Sequence, residues 1–287
     1  MTYHLKVDAL TYAHGKKEAI KDVSFQLEAG KVYGLWGRNG AGKTTLMRCM
    51  TGLLAVNQGS VTLNGKSPYE NRDVLNDICF IQENHPLNSL WKVKEVLEIA
   101  AIFYKNWDST IAEKCLESFN LSKNLKVKAM SKGMRTALSL TIGLSSGAPV
   151  MIFDEPTNGL DAAIREVFYE LLMEECSKEE KIVIISTHYI QELQRYIEEL
   201  IVLDEGKLLL QDSLDAIKER TGYIHGDKAS ASQFMDSRGI IEKTVMGPMV
   251  RLMVENEELA GHFDEKVDLQ DYLLRKTDKK AEKEVVN

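Results

Sequence analysis

Residues 37–44 read GRNGAGKT, between the apolar run KVYGLW (31–36) and the helix-spaced segment TLMRCMTGLL (45–54). Three glycines and a lysine in eight residues exceed what a turn needs. The spacing G-x-x-x-x-G-K-[ST] turns side-chain-free N–H groups inward around an anion, and the positive end of the following helix aims at the same point. A strand before the loop and a helix after it are the context this pattern requires, which commits the chain to an α/β core. Gly37, Asn39, Gly40, Gly42, Lys43, Thr44 and Thr45 are therefore candidate nucleotide-binding residues. Lys43 can reach the β- and γ-phosphates, and the Thr44 hydroxyl can bind Mg²⁺.

A phosphate cradle hydrolyses nothing alone. VMIFDEP (150–156) carries four apolar residues through a core and then delivers Asp154 and Glu155 at the strand's C-terminal end, where open α/β sheets bind ligands. Asp154 suits Mg²⁺ held through water, and Glu155 suits the general base that polarises attacking water. His188 ends the next apolar run, KIVIISTH, and Gln82 follows ICFIQ. Read singly, the first is a strand-end surface residue and the second a loop residue. Beside the Asp154 strand, His188 could contact a γ-phosphate and Gln82 could contact Mg²⁺ or the water.

YHLKVDAL, DVSFQLEAG and GSVTLNGK read as strands of an N-terminal antiparallel part, each ending in turn residues. Residues 86–147 change to helical periods, in VKEVLEIAAIFY, IAEKCLESFNL and GMRTALSLTIGL. The nearly continuous apolar runs PVMIFDEP and KIVIISTH, with AAIREVFYELLMEEC between them, predict parallel strands buried on both faces. The expected fold is α/β: a P-loop nucleotide-binding domain with a mixed-sheet core over residues 1–220, a helical subdomain inserted at 86–147, and a small appendage at 221–287. The appendage has no assignable topology, and its last stretch, RKTDKKAEKEVVN, reads as a frayed charged tail.

Net charge is −7, which disfavours a broad basic surface and hence nucleic acid as partner. The four cysteines, Cys49, Cys79, Cys115 and Cys176, show no CxxC and no paired spacing with histidine. That argues against a zinc site or disulfide framework and for a reducing compartment. The N-terminus has no signal-peptide pattern, and no stretch approaches the roughly 18–20 apolar residues that span a bilayer. The chain is not expected to cross a membrane alone.

The ordered set of phosphate loop, Gln82, DE after a strand, GLD (159–161) and His188 resembles the ATPase subunit of ABC transporters over roughly residues 1–220. The resemblance makes GRNGAGKT the Walker A, Gln82 the Q-loop, VMIFDE the Walker B, Asp161 part of the D-loop and His188 the switch histidine. Tyr12, 25 residues before Gly37, matches the aromatic that stacks on adenine. MSKGM (130–134) fills the slot of the LSGGQ signature, keeping Ser131 and Gly133 but placing Lys132 and Met134 at its first Gly and its Gln. In the family this segment reaches the ATP of a second subunit, so cofactors ATP and Mg²⁺ and a head-to-tail pairing, with a copy or a different chain, are implied. SKGM, FYKNWDS and FDEPTNGLDAAIRE are similar to a bacterial subgroup of YtrB type that exports peptides and antibiotics.

The resemblance also implies integral membrane subunits as partners, docking near ENHPLNSLW (83–91), and a cytoplasmic location, peripheral on the inner face of the membrane. Two other readings stay open. One is a soluble ATPase with the same core; the short helical insertion, without sustained heptads, and the acidic balance speak against repair and translation factors. The other is a regulator that binds ATP but hydrolyses it weakly, against which stand Lys43, Glu155 and His188 together.

Overall fold

The computed structural model describes residues 2–227, 239–259 and 261–278. The parts of the C-terminal appendage at 228–238 and of the charged tail from 279 on lie outside them. The described residues form two compact units, one of residues up to 188 together with 199–211, the other of 189–198 together with 212 onward.

In the first unit, β1 (His4–His14), β2 (Lys17–Glu28) and β4 (Gln58–Leu63) form an antiparallel sheet in the order β2-β1-β4. Their alternating buried positions, such as Leu5 and Val7 on β1 and Val23, Phe25 and Leu27 on β2, follow the period of a sheet with one face in the core. The second sheet has the order β5-β6-β7-β3-β8-β9, from β3 (Lys31–Trp36), β5 (Ile78–Ile81), β6 (Val150–Asp154), β7 (Ile182–Thr187), β8 (Glu199–Asp204) and β9 (Lys207–Ser213). The pairs β5–β6, β6–β7, β7–β3 and β3–β8 are parallel. Every residue of β6 and β7 is buried, as expected of strands covered on both faces.

Helix α1 (Lys43–Met50) leaves β3 through the glycine loop, and the short α2 (Arg72–Leu75) precedes β5. The insertion between β5 and β6 holds α3 (Val93–Phe103), α4 (Ser109–Ser118) and α5 (Lys132–Ser145). Asp108 caps α4 and Ser131 caps α5, each accepting from backbone N–H groups of the first turn. Helix α6 (Ala162–Lys178) buries Phe168, Leu171 and Leu172 at helical spacing and returns the chain to β7. The core joins residues of β1 and β2 with β3, α1, β6 and β7, among them Leu10, Ile20, Leu35, Leu46, Ile152 and Ile184.

Gly143 lies on the buried side of α5. An added Cβ there would stand 2.7 Å from Phe153 Cε1 and 2.9 Å from Ile81 Cγ1. Overpacking of about 1–3 kcal/mol outweighs the ~1 kcal/mol that alanine gains in helix propensity. Gly143→Ala is therefore expected to destabilise the protein by up to about 2 kcal/mol in chemical denaturation. An unchanged or raised midpoint would show that β5 and β6 yield to the methyl group.

The second unit contains α7 (Ile190–Leu193), α8 (Leu214–Arg220), an antiparallel sheet and α9 (Leu269–Lys276). The sheet is ordered β11-β12-β10-β13, from β10 (Thr221–Asp227), β11 (Ile240–Met246), β12 (Met249–Glu255) and β13 (Glu265–Lys266). Its small core centres on Ile224, Val250, Leu252 and Val254. The unit begins earlier than the division at residues 220 and 221 expected from sequence, and it includes 189–198. Long-range bonds are the reason. Arg220 pairs with both Asp212 and Glu255, and the Ile190 N–H donates to Gln270 Oε1 at 3.0 Å.

Candidate functional site

The glycine loop is pressed against backbone on two sides. A Cβ at Gly37 would lie 2.5 Å from Leu203 O, and one at Gly42 2.7 Å from Ala19 O; Gly42 also has φ +108°, the left-handed region that glycine enters freely. Gly42 is the N-cap of α1, and no side chain caps that helix, as suits an end that receives an anion. Lys43 opens α1 and is 7 % exposed; its Nζ donates to Gly37 O at 2.6 Å and lies 3.3 Å from Glu155 Oε1.

Opposite the loop stand the ends of β6 and β7. Thr44 Oγ1 donates to Asp154 Oδ2 at 2.7 Å, and Ser186 Oγ donates to Asp154 Oδ1 at the same distance. Both oxygens of this buried carboxylate are thus held. Ser186 Oγ also accepts the Glu155 N–H at 2.9 Å. That bond anchors a residue at φ +49°, a backbone strain of about 1–3 kcal/mol of the kind that collects at functional sites. Glu155 Oε2 lies 2.9 Å from His188 Nδ1, so Lys43, Glu155 and His188 form one chain of contacts.

A cavity of about 590 Å³ opens over this arrangement. Its walls include Asn39, Gly40, Gly42, Lys43, Thr44 and Thr45, with Asp154 and Glu155 on the far side. Lys17, Lys21 and Arg38 add positive charge, and Glu18, Glu83 and Glu205 add negative charge. The size suits a ligand as large as a nucleotide.

Other expected site residues sit elsewhere. Tyr12 does not line the cavity. It pairs across from the fully buried Ile20 and packs against the core, while His14, two residues on at the end of β1, lines the cavity. His14 Nε2 is 3.4 Å from Thr45 Oγ1, and its ring meets Tyr12 edge-on at 5.0 Å. Register shifts in β1 around Leu10, Tyr12 and Ala13 accompany this placement of the strand's last residue at the opening. Gln82 Oε1 accepts from Arg48 Nη2 of α1 at 3.0 Å, whereas its neighbour Glu83 lines the cavity. Asp161 caps α6, accepting from the Ile164 N–H at 2.9 Å. Ser131 Oγ accepts from the Met134 N–H at 3.2 Å; neither Ser131 nor Gly133 lines the cavity, and Ser131 is exposed. The sequence does not single out Ser186, and it offers no partner for His14. The signal for Ser186 was its polar side chain at the end of an otherwise apolar strand.

Comparison with known proteins gives one consistent answer. Residues 20–158 match the protein family described as ABC transporter. The ABC transporter ATP-binding protein YtrB of Bacillus subtilis is 26 % identical over 75 % of this chain and 74 % of its own length. The lantibiotic transport ATP-binding protein SrtF of Streptococcus pyogenes is 32 % identical over 74 % of this chain and 91 % of its own. Among solved structures, the dimeric ATP-binding cassette MJ0796, captured after hydrolysis with ADP and Pi, shares the fold. Its TM-score is 0.65 at 24 % identity, over 73 % of this chain and 98 % of that one.

Proposed function

The chain belongs to the ABC transporter family as an ATP-binding, ATP-hydrolysing subunit, and from that premise we propose that it pairs head to tail with a second ATPase subunit and drives export of a peptide, antibiotic or other amphipathic cargo through separate membrane subunits. The observation that carries the pairing is the position of Ser131 and Gly133. These donors open α5 at the surface, away from the walls of their own chain's phosphate cavity, so they are available to a nucleotide held by another subunit. The dimeric state of the cassette of like fold supports the same reading. Export is supported by the likeness to a lantibiotic transport protein.

In this reading the loop amides and Lys43 grip the terminal phosphates. Glu155 takes the proton of the attacking water, with His188 and the Ser186 hydroxyl fixing its carboxylate and backbone. Thr44 and Asp154 present adjacent oxygens, the hard donors that Mg²⁺ takes together with phosphate oxygens and water. That ion would offset charge on the phosphates. His14, at the rim, supplies the ring on which the base stacks, and Gln82 links the site to the surface beyond. Loss of the γ-phosphate removes the attraction between the subunits.

The surface beyond is an apolar groove of about 510 Å³ lined by Leu75, His85, Trp91, Ile99, Phe103 and Tyr104. Ile102 and Phe103 are exposed by 76 % and 73 %, and burial lowers the pKa of His85, which favours its neutral ring. An apolar floor between α3 and the 82–91 segment suits an amphipathic helix from a membrane subunit. No helix among the described residues is itself long and apolar enough to cross a membrane. Co-expression with any multi-span membrane protein encoded beside its gene is the test. The wild type should co-purify with it, and Phe103→Asp should lower retention by about tenfold or more while the ATPase of the isolated chain stays unchanged. Equal retention of both, or none of the wild type, defeats the docking assignment.

A further inference from the structure

Lys132 occupies the place of a glycine in the family signature and is the first residue of α5. A cation in the first turn meets the positive end of the helix, so it needs a counter-charge. The structure supplies one from within the same chain. Lys132 Nζ lies 3.7 Å from Glu83 Oε1, and Asn158 Nδ2 donates to that same oxygen at 3.2 Å. The aliphatic stem of Lys132 covers Gly159: a Cβ there would stand 3.1–3.3 Å from its Cδ, Cγ and Cε atoms. Thr136 Oγ1 donates to Asn158 O at 3.5 Å, and a Cβ on Gly133 would come within 2.7 Å of Gly159 O. Three loops therefore meet at one lysine: the segment after β5, the signature turn and the turn before α6.

Glu83 is the reason this meeting matters. Its side chain also lines the nucleotide cavity, whose walls carry the further carboxylates Asp154, Glu155 and Glu205, so the phosphates of a nucleotide there would meet one negative charge more. We propose that Lys132 is a positioning residue acting through Glu83: it neutralises that carboxylate and holds it against Asn158, and so favours nucleotide in the cavity of its own subunit. The inference rests on the proposed reading of that cavity as the Mg-ATP site. It gives the lysine a task at the near phosphate site and separates it from the donors Ser131 and Gly133, which remain turned to the second subunit. The same contact ties the turn that receives the partner's nucleotide to the segment that leads to the apolar groove.

The test is a cycle of variants in the purified full chain, read as KM and kcat for Mg-ATP. Lys132→Ala is expected to raise KM about fivefold with kcat within about twofold, the size set by a pair that is half exposed. Glu83→Gln is expected to lower KM by up to about threefold, because the charge near the phosphates is gone. In the Glu83→Gln background, Lys132→Ala should move KM by less than about twofold, the signature of coupling. Lys132→Arg should keep the wild-type KM. A lysine reaching the partner's phosphate would give the same loss in either background, and that result, or an unchanged KM in Lys132→Ala alone, overturns the proposal. Wild-type chain that binds no Mg-ATP would instead sink the reading of the cavity itself.

Discussion

Glu155→Gln is expected to bind Mg-ATP within about threefold of the wild type and to hydrolyse it about 10²- to 10⁴-fold more slowly, the range by which a positioned base accelerates proton transfer. The amide keeps the shape of the carboxylate, so the left-handed backbone at this residue and its N–H bond to Ser186 Oγ are retained. What disappears is the charge that lies 3.3 Å from Lys43 Nζ and 2.9 Å from His188 Nδ1, and with it the capacity to take a proton. With hydrolysis blocked, nucleotide stays between subunits, and size-exclusion chromatography with Mg-ATP should show a stable dimer that the wild type does not accumulate. Wild-type turnover in this variant would place the base elsewhere. Slow turnover without a dimer would leave the base assignment intact and remove the head-to-tail pairing.

Lys43→Ala acts earlier, on binding. Lys43 is buried in the site it serves, and Gly37 O and Glu155 both face its ammonium group. Its removal withdraws the buried cation that opens α1 and leaves Glu155 confronting phosphate without that counter-charge. Truncating one member of a buried charged contact costs about 2–5 kcal/mol, so affinity for Mg-ATP should fall by about 30-fold or more. Titration calorimetry reads this directly, and a denaturation midpoint close to that of the wild type confirms that the fold survived. Equal heats of binding in wild type and variant would mean that the cavity over α1 is not where nucleotide sits.

The two variants separate cleanly because the residues touch but do different work. In Lys43→Ala, Glu155 has little nucleotide to act on. In Glu155→Gln, nucleotide is held but not cleaved. Combining them should give the binding defect of Lys43→Ala with no recovery of turnover, the non-additive behaviour of groups that act as one unit.

Much of the core was legible because its chemistry is continuous in the chain. KVYGLW, GRNGAGKT and TLMRCMTGLL are strand, anion loop and helix in one unbroken stretch, and no distant residue is needed to recognise them. VMIFDE and IVIIST declare doubly covered strands by their composition, and the helical periods of 86–147 appear as α3, α4 and α5. Tyr12 shows the limit of such reading. Counting residues back from the loop selects an aromatic, but bulges in β1 decide which side chain looks onto the cavity, and a bulge is set by pairing with β2 and β4. The appendage gave no topology for a similar reason: its sheet pairs β10 with β12 and β13, across intervals that local pattern does not bridge.

By itself, then, the amino-acid sequence determined the phosphate loop, the acidic pair after β6, the order of strands and helices, and the family to which they belong. Each is an arrangement of neighbours along the chain, governed by backbone sterics and by periodic burial. Tertiary structure alone decided that Ser186 holds Asp154, that His14 rather than Tyr12 overlooks the cavity, and that Lys132 turns to Glu83 and Gly159. Those contacts join residues far apart in the chain, and they form only when packing of the β-sheets and the helical insertion brings their loops to the same few ångströms.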